Sequence, residues 1–243
     1  MRIDVYLSQE GLVASRTEAK RFIDEGAVTV NGVLVKKPSF EVDGSEDIAL
    51  DKSKKEFVSR GGIKLKGALM QFKVNVRGRR CLDVGASSGG FTDCLLQHGA
   101  EHVIAVDSGS GQLAESLRLD SRVTAIENYN ARYMKPSDLQ YTPDFAVMDV
   151  SFISATYIIP SVYDVLADGG DFICLIKPQF EVGRAGLGKG GIVKDSKVRD
   201  SAVKKVTDFA TGVGFVLAGI MQSSIKGGDG NIEFLAHFVK QRV

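Results

Sequence analysis

The chain has 243 residues, 44% of them hydrophobic and 25% charged, an ordinary composition for a folded protein. That length holds one large domain, or a medium domain with a small one. Lys and Arg total 31 against 30 Asp and Glu, so net charge says nothing about partners and its distribution has to be read instead.

Cys81, Cys94 and Cys174 sit in apolar runs at spacings unlike a metal site, and read as buried thiols in a reducing compartment. No run of about 18 apolar residues suggests a membrane span. The opening string MRIDVYLSQEG lacks a signal-peptide core, so a cytoplasmic protein is expected. Repeats and low-complexity tracts are absent, and no pattern indicates an oligomeric state.

In chain order, IDVYLSQEGL has helical apolar spacing through Ile3, Val5, Leu7 and Leu12. SRTEAKRFIDEG predicts a second helix, capped by Ser15 or Thr17, with Phe22 and Ile23 inward and Gly26 at its end. VTVNGVLVKK predicts a hairpin, because Asn31-Gly32 divides two β-branched runs. EDIALD adds a strand. Arg2, Arg16, Lys20, Arg21, Lys36 and Lys37 give this small α+β unit basic positions suited to phosphates. Charge alone equally describes a solvated surface. The string from Arg2 to Pro38, with SRTEAKRFI and a strand ending at VNG, resembles the S-four-type RNA-binding domain. That resemblance implies that Arg16, Lys20 and Arg21 meet structured RNA, read by shape and backbone.

The domain plan expected is residues 1–53, a polar linker at 54–60 within DKSKKEFVSRGG, and a large domain at 61–243. From Ile63 the pattern alternates. IKLKGALMQF reads as helix, RCLDVGA as strand, GGFTDCLLQHG as helix, EHVIAVD as strand, SGQLAESLR as helix, and RVTAIE and DFAVMDV as strands. ATYIIPSVYDVLADGG reads as one helix kinked at Pro160; DFICLIK as strand; SKVRDSAVKKVTDFATGVG as helix; FVLAGIMQS and EFLAHFVK as a terminal hairpin. Alternation with continuously apolar strands predicts an α/β fold, a mostly parallel sheet covered on both faces.

In CLDVGASSGGFT, Gly85, Ala86, Ser87, Ser88, Gly89 and Gly90 stand between strand and helix, where a ligand can approach the backbone and the helix start. No GK[ST] follows, so this is not a P-loop. Asp107 ends the next strand, about 20 residues on, where an acid binds ribose hydroxyls. A ribose-bearing ligand follows, either a dinucleotide or S-adenosylmethionine. DVGASSGGFT resembles the first motif of class I methyltransferases, which also end in such an antiparallel hairpin. That resemblance implies S-adenosylmethionine as cofactor and a Rossmann-like domain with a mixed seven-stranded sheet. The donor residues expected are Asp83, Gly85, Ser87, Gly89, Gly90 and Asp107, with Asn128 after the third strand as an adenine neighbour.

Asp149 and Lys177 end parallel strands, and Glu233 begins the last, antiparallel one, so all three fall on the ligand edge of the sheet. Lys177 follows an apolar strand, where a charged head needs a partner, and Asp149 and Glu233 are the candidates. Nothing local brings Lys64 to this edge. The order Lys64, Asp149, Lys177, Glu233 resembles the tetrad of FtsJ-type ribose 2′-O-methyltransferases. SRGGIKL, DVGASSGGFTDCLL, MDVSFIS, IKPQFEVG and GKGGIVKD resemble the TlyA-type family, historically called hemolysin A, of rRNA cytidine 2′-O-methyltransferases. The family's linker often carries Arg and Trp before VSRG; here the string is Lys55-Glu56-Phe57-Val58, with a smaller aromatic, which leaves that linker's part in donor binding open.

The resemblance implies methyl transfer to a ribose 2′-oxygen of ribosomal RNA. A lysine serves as base there only when uncharged, which burial and a second cation favour; a carboxylate beside it works the other way and so orients. The roles the resemblance implies are Lys177 as base, Lys64 close enough to favour its neutral form and to grip the nucleotide, and Asp149 and Glu233 orienting the lysines. No metal is expected, and His98, His102 and His237 read as structural. The long Gly-rich stretch 178–195 is expected to meet phosphates through Arg184, Lys189 and Lys194. Ribosomal RNA or ribosomal subunits are the expected partners, and no membrane. Two other readings compete: a non-catalytic ribosome-binding factor, which would fail to bind S-adenosylmethionine, and a membrane-lytic protein, for which no lytic helix is visible.

Overall fold

The structure, a computed structural model, describes residues 1–24, 26–51, 56–183, 186–227 and 230–242. The chain divides into two compact units, Met1–Glu56 and Phe57–Val243.

The first unit contains helices α1 (Ile3–Gln9) and α2 (Arg16–Asp24), then strands β1 (Val28–Val30), β2 (Val33–Leu34) and β3 (Ile48–Leu50) in the order β2-β1-β3, all antiparallel. Asn31 (φ 50°) and Gly32 (φ 75°) both take the left-handed conformation that a two-residue turn of primed type demands, which is why Asn-Gly specifies this hairpin. Ser15 Oγ accepts the Glu18 amide at 3.2 Å and Glu18 reaches back to the Ala14 amide at 2.9 Å, so α2 starts where its sequence places the cap. Ile3, Leu7, Phe22, Ile23, Val28 and Val35 build the core.

Asp4 is fully buried beside that core, which the sequence did not signal. Arg2 Nε donates to it at 2.9 Å and Arg16 Nη2 at 3.3 Å. Burial alone would raise the carboxyl, but the two guanidinium groups overcome it and hold the acid below its ordinary value.

The second unit is a seven-stranded sheet in the order β6-β5-β4-β7-β8-β10-β9. Strands β4 (Arg80–Val84), β5 (His102–Val106), β6 (Val123–Ile126), β7 (Phe145–Met148) and β8 (Asp171–Ile176) run parallel, whereas β10 (Phe234–Lys240) is antiparallel to both β8 and β9 (Phe215–Gln222). Helices α3 (Gly61–Phe72) and α4 (Gly90–Gln97) cover one face, and α6 (Ile159–Val165) and α8 (Ser196–Val213) the other, with the single turn α7 (Pro178–Glu181) following β8. The central strands are buried along their apolar runs, from Cys81, Phe145 and Phe172 onward, while edge strand β9 alternates.

Two expected helices are shorter than predicted. Residues 110–118 form only the single turn α5 (Glu115–Arg118), because Gly111 (φ 67°) breaks the run and the Ala114 amide bonds to Ser88 O instead. Residues 155–170 do not make one helix kinked at Pro160. A 3₁₀ turn, Ala155–Tyr157, precedes α6, and Pro160 lies in the first turn of α6, where no amide is required. The three cysteines are buried thiols. His237 meets Asp171 at 2.7 Å, His102 meets the Tyr141 hydroxyl at 3.1 Å and His98 meets Cys94 O at 2.7 Å, all structural contacts. Among the described residues no helix is long and apolar enough to cross a membrane.

Asp83, on central strand β4, is fully buried and accepts the Thr92 hydroxyl at 2.7 Å. Burial pushes its carboxyl up to about 7, only partly offset by that hydrogen bond. The folded state therefore holds the proton more tightly than the unfolded chain. Stability from this group is complete below its unfolded value near 4 and is lost as pH rises towards about 7.

Two predictions follow from these buried acids. Asp83→Asn flattens the fall in stability between about pH 4 and pH 7, read by denaturant unfolding across that range; an unchanged slope would refute the assignment. Asp4→Asn costs about 1.5 to 3 kcal/mol at neutral pH. Because the folded Asp4 acid is lowered, the gap from wild type narrows once pH drops below about 4, measurable as hydrogen exchange at the Leu7 and Ile23 amides.

Candidate active site

The sheet order reverses between β4 and β7, and a crevice opens there beyond the carboxyl ends of the strands. Gly85 leaves β4 with φ 83°, and a Cβ there would stand 2.5 Å from Asp149 O. A Cβ at Gly89 would come within 2.2 Å of Leu117, and one at Gly90 within 2.2 Å of Ser59 Oγ. The chain's own neighbours thus demand the glycines, through the β7 end, the α5 turn and the start of α3. The sequence reading explains the same glycines by a ligand's approach or by a tight turn.

A cavity of about 470 Å³ fills the crevice, within the usual size range of small-molecule sites. Gly85, Ser87, Asp107, Gln112, Asn130, Ser151 and Phe152 line it. Ser87, at φ 48°, donates its amide to Asp107 at 2.7 Å and its hydroxyl to Gln112 at 3.1 Å. Asp107 also accepts the Gly109 amide at 2.7 Å, so one carboxylate ties the β4 loop to the β5 loop. Asp83, Gly89 and Asn128 do not line either this cavity or the next. Asp83 lies beneath the loop with its Oδ1 buried and without a hydrogen-bond partner. Asn128, at φ 54°, bonds Gly109 O through its amide, and Asn130, two residues on in the same NYN string, reaches the cavity instead. The sequence reading missed Gln112, Asn130 and Ser151, which stand on loops whose path only folding determines.

A second cavity of about 220 Å³ shares Gly85, Ser87, Asp149 and Ser151 with the first and adds Ser59, Lys64, Gly90 and Lys177. Lys177 Nζ stands 2.6 Å from Asp149 Oδ1 and donates to Ser151 Oγ at 2.6 Å. Lys64 Nζ donates to Glu233 Oε2 at 2.6 Å, with side chains only 10% and 3% exposed. From the residues alone Lys177 has both carboxylates as candidate partners, and only the family resemblance brings Lys64 close to it. The structure instead makes two separate pairs, because α3 packs beside the β9–β10 connection and carries Lys64 to the buried start of β10. Gly227 permits this: a Cβ there would meet Glu233 Oε1 at 2.4 Å.

Phe152 is 91% exposed at φ 65°, with its ring 5.1 Å from that of Phe180. Exposed Arg132 lies over the Tyr157 ring at 4.6 Å. Of these rings Phe152 lines the crevice, and the sequence reading singled out none of them. Of the expected basic contacts, Arg2 and Arg16 are held by Asp4, and Arg21 pairs with Glu18 at 2.9 Å. Lys20, Lys36, Lys37, Lys189 and Lys194 are exposed. Arg184, and Lys55 of the linker, lie outside the described residues. Among the described residues no cluster of three or more His, Cys, Asp and Glu has the makings of a metal site.

Known proteins are similar to this chain in sequence and fold. Residues 1–48 match the S4 domain and residues 57–240 the FtsJ-like methyltransferase family. The chain is 42% identical over 234 residues to the 16S/23S rRNA (cytidine-2′-O)-methyltransferase TlyA of Mycobacterium tuberculosis, covering 96% of this chain and 87% of that one. It is 43% identical to Hemolysin A of Brachyspira hyodysenteriae, covering 98% and 100%. A solved Streptococcus thermophilus structure that carries the hemolysin name is 45% identical, with a TM-score of 0.79 over 99% of this chain and 88% of that one. By sequence over residues 57–240 and by fold, the chain belongs to the FtsJ-like methyltransferase family and carries an S4 domain ahead of it.

Proposed function

We propose that this protein methylates a ribose 2′-oxygen of a cytidine in ribosomal RNA, with S-adenosylmethionine as donor. Lys64, Asp149 and Lys177 around one cavity that shares a wall with the donor-sized crevice, with Glu233 buried behind Lys64, carry this reading. The close relative named as an rRNA (cytidine-2′-O)-methyltransferase supports the substrate class. The S4 domain supports the partner, since such a unit suits folded RNA. Residues 54–60 then join the RNA-docking unit to the enzyme, and a cytoplasmic location follows from a ribosomal substrate.

The crevice fits the donor on its own features. It has the volume, the turn of Gly85 to Ser87 along its wall, the Asp107 carboxylate at the end of β5, and the buried, unpartnered Asp83 Oδ1 beneath. Gly85, Ser87, Asp107 and Asn130 would hold the donor; Asp83, Gly89 and Gly90 shape the loop from behind. When bound, S-adenosylmethionine supplies an electrophilic methyl group. The chain's residues place the ribose hydroxyl in line with it, and such placement alone supplies much of the rate. Lys177, oriented by Asp149 and Ser151, receives the hydroxyl proton. Lys64, seated on Glu233, grips the nucleotide from across the same cavity. Lys20, Lys36 and Lys37, with the outward parts of Arg2, Arg16 and Arg21, contact RNA phosphates, as do Arg184, Lys189 and Lys194.

Transfer of labelled methyl to unmodified ribosomal subunits tests the reading. Wild type should place label on a ribose 2′-oxygen. Lys177→Ala and Lys177→Arg should both lose at least about 100-fold in kcat, because arginine keeps the charge but cannot take up a proton. Full activity of Lys177→Arg would remove Lys177 from the base role; no transfer by wild type to either subunit or to bare rRNA would sink the function itself. Glu233→Gln leaves the Lys64 ammonium buried without its counter-charge and should destabilise the fold by about 3 kcal/mol, read in denaturant unfolding alongside reduced transfer.

A further inference from the structure

The stretch after Lys177 is tied down by a side chain to which no role has yet been assigned. Asn231 is only 1% exposed. Its Oδ1 accepts the Val193 amide at 3.0 Å and its Nδ2 donates to Gly191 O at 3.2 Å. Both ends of one buried carboxamide are thus spent on the backbone of the Gly-rich segment. From the other side, Arg199 of α8 donates to Val193 O at 3.0 Å and to Lys194 O at 2.7 Å. Inside the segment the backbone bonds are local turns, Gly188 to Ile192 and Gly191 to Gly188, and Gly190 and Gly191 take φ 75° and 73°. A chain with two such glycines has many alternatives, so external bonds decide its conformation.

The anchor's position matters as much as its bonds. Asn231 O accepts the Gly227 amide at 2.9 Å, and Gly227 is the residue whose bare Cα makes room for the Glu233 carboxylate. One short turn therefore seats Glu233, and with it Lys64, while gripping the segment that bears the exposed Lys189 and Lys194.

We propose that Asn231 is a positioning residue for RNA: its carboxamide holds segment 189–194 in the one conformation that presents Lys189 and Lys194 to the phosphates beside the reacting ribose. This rests on the rRNA-methylating reading above. Asn231 acts through the segment and touches neither donor nor reacting atoms.

The test uses the full chain with Asn231→Ala and Asn231→Asp. The readouts are hydrogen exchange at the Val193 amide, donor affinity, Kd for unmodified ribosomal subunits, and KM and kcat for methyl transfer. Asn231→Ala should expose the Val193 amide to exchange and raise Kd and KM for subunits about tenfold, with kcat within about twofold of wild type and donor affinity unchanged. Asn231→Asp keeps the acceptor for the Val193 amide but loses the donor to Gly191 O, and should fall between. Faster exchange at Val193 with Kd and KM unmoved would overturn the proposal, as would KM holding while kcat falls with the folded fraction. Should the alanine variant not fold, the aspartate variant decides on the same readouts. If wild type binds subunits but transfers no methyl, the proposed function fails, and the ratio of Kd values still decides the part of Asn231.

Discussion

Lys64 and Glu233 are separated by 169 positions in the chain and meet at 2.6 Å in a nearly dry setting. Neither tolerates that setting alone, because a buried charge without its partner costs several kcal/mol. The pair therefore constrains the fold from both ends. Helix α3, ahead of the first central strand, must lie against the connection that leads into the last. Strand β10 must enter the sheet antiparallel beside β8, which brings Glu233 to the same edge as Asp149 and Lys177. With that register, Phe234 stands opposite Ile176, one residue from each charged side chain.

The second pair is built differently. Lys177 and Asp149 close neighbouring parallel strands, so their proximity follows from strand order alone. It is also the more open of the two, with Asp149 21% exposed and Ser151 sharing the ammonium. The proposed chemistry matches this contrast. The buried pair suits a fixed grip, and the more open one suits a group that exchanges a proton. Between them the Gly85 turn brings the β4 loop against the backbone of Asp149, so the larger crevice and the lysine cavity share a wall.

Much of this was legible in the residues. Continuous apolar strands, the Asn31-Gly32 turn, the Ser15 cap and the strand-end positions of Asp149 and Lys177 are local or periodic signals, and each lies where those signals placed it. The failures share a cause. The helix expected over 110–118 gave way to a contact with Ser88, and Pro160 turned out to start a helix rather than kink one. Asp4 carried no sequence mark of burial, because its two arginine partners come from the residue before α1 and the first residue of α2.

The sequence by itself determined the order of strands and helices, the glycine-rich turn and the chemical types available at the sheet edge, because hydrophobic period and turn chemistry act over a few residues. Only the tertiary structure decided which carboxylate meets which lysine, which asparagine of NYN reaches the crevice, and that Asn231 anchors the loop after Lys177. Those choices depend on the packing of α3 against the terminal hairpin and on the paths of loops. Distances between residues far apart in the chain are set there by burial and by the need to pair every buried charge.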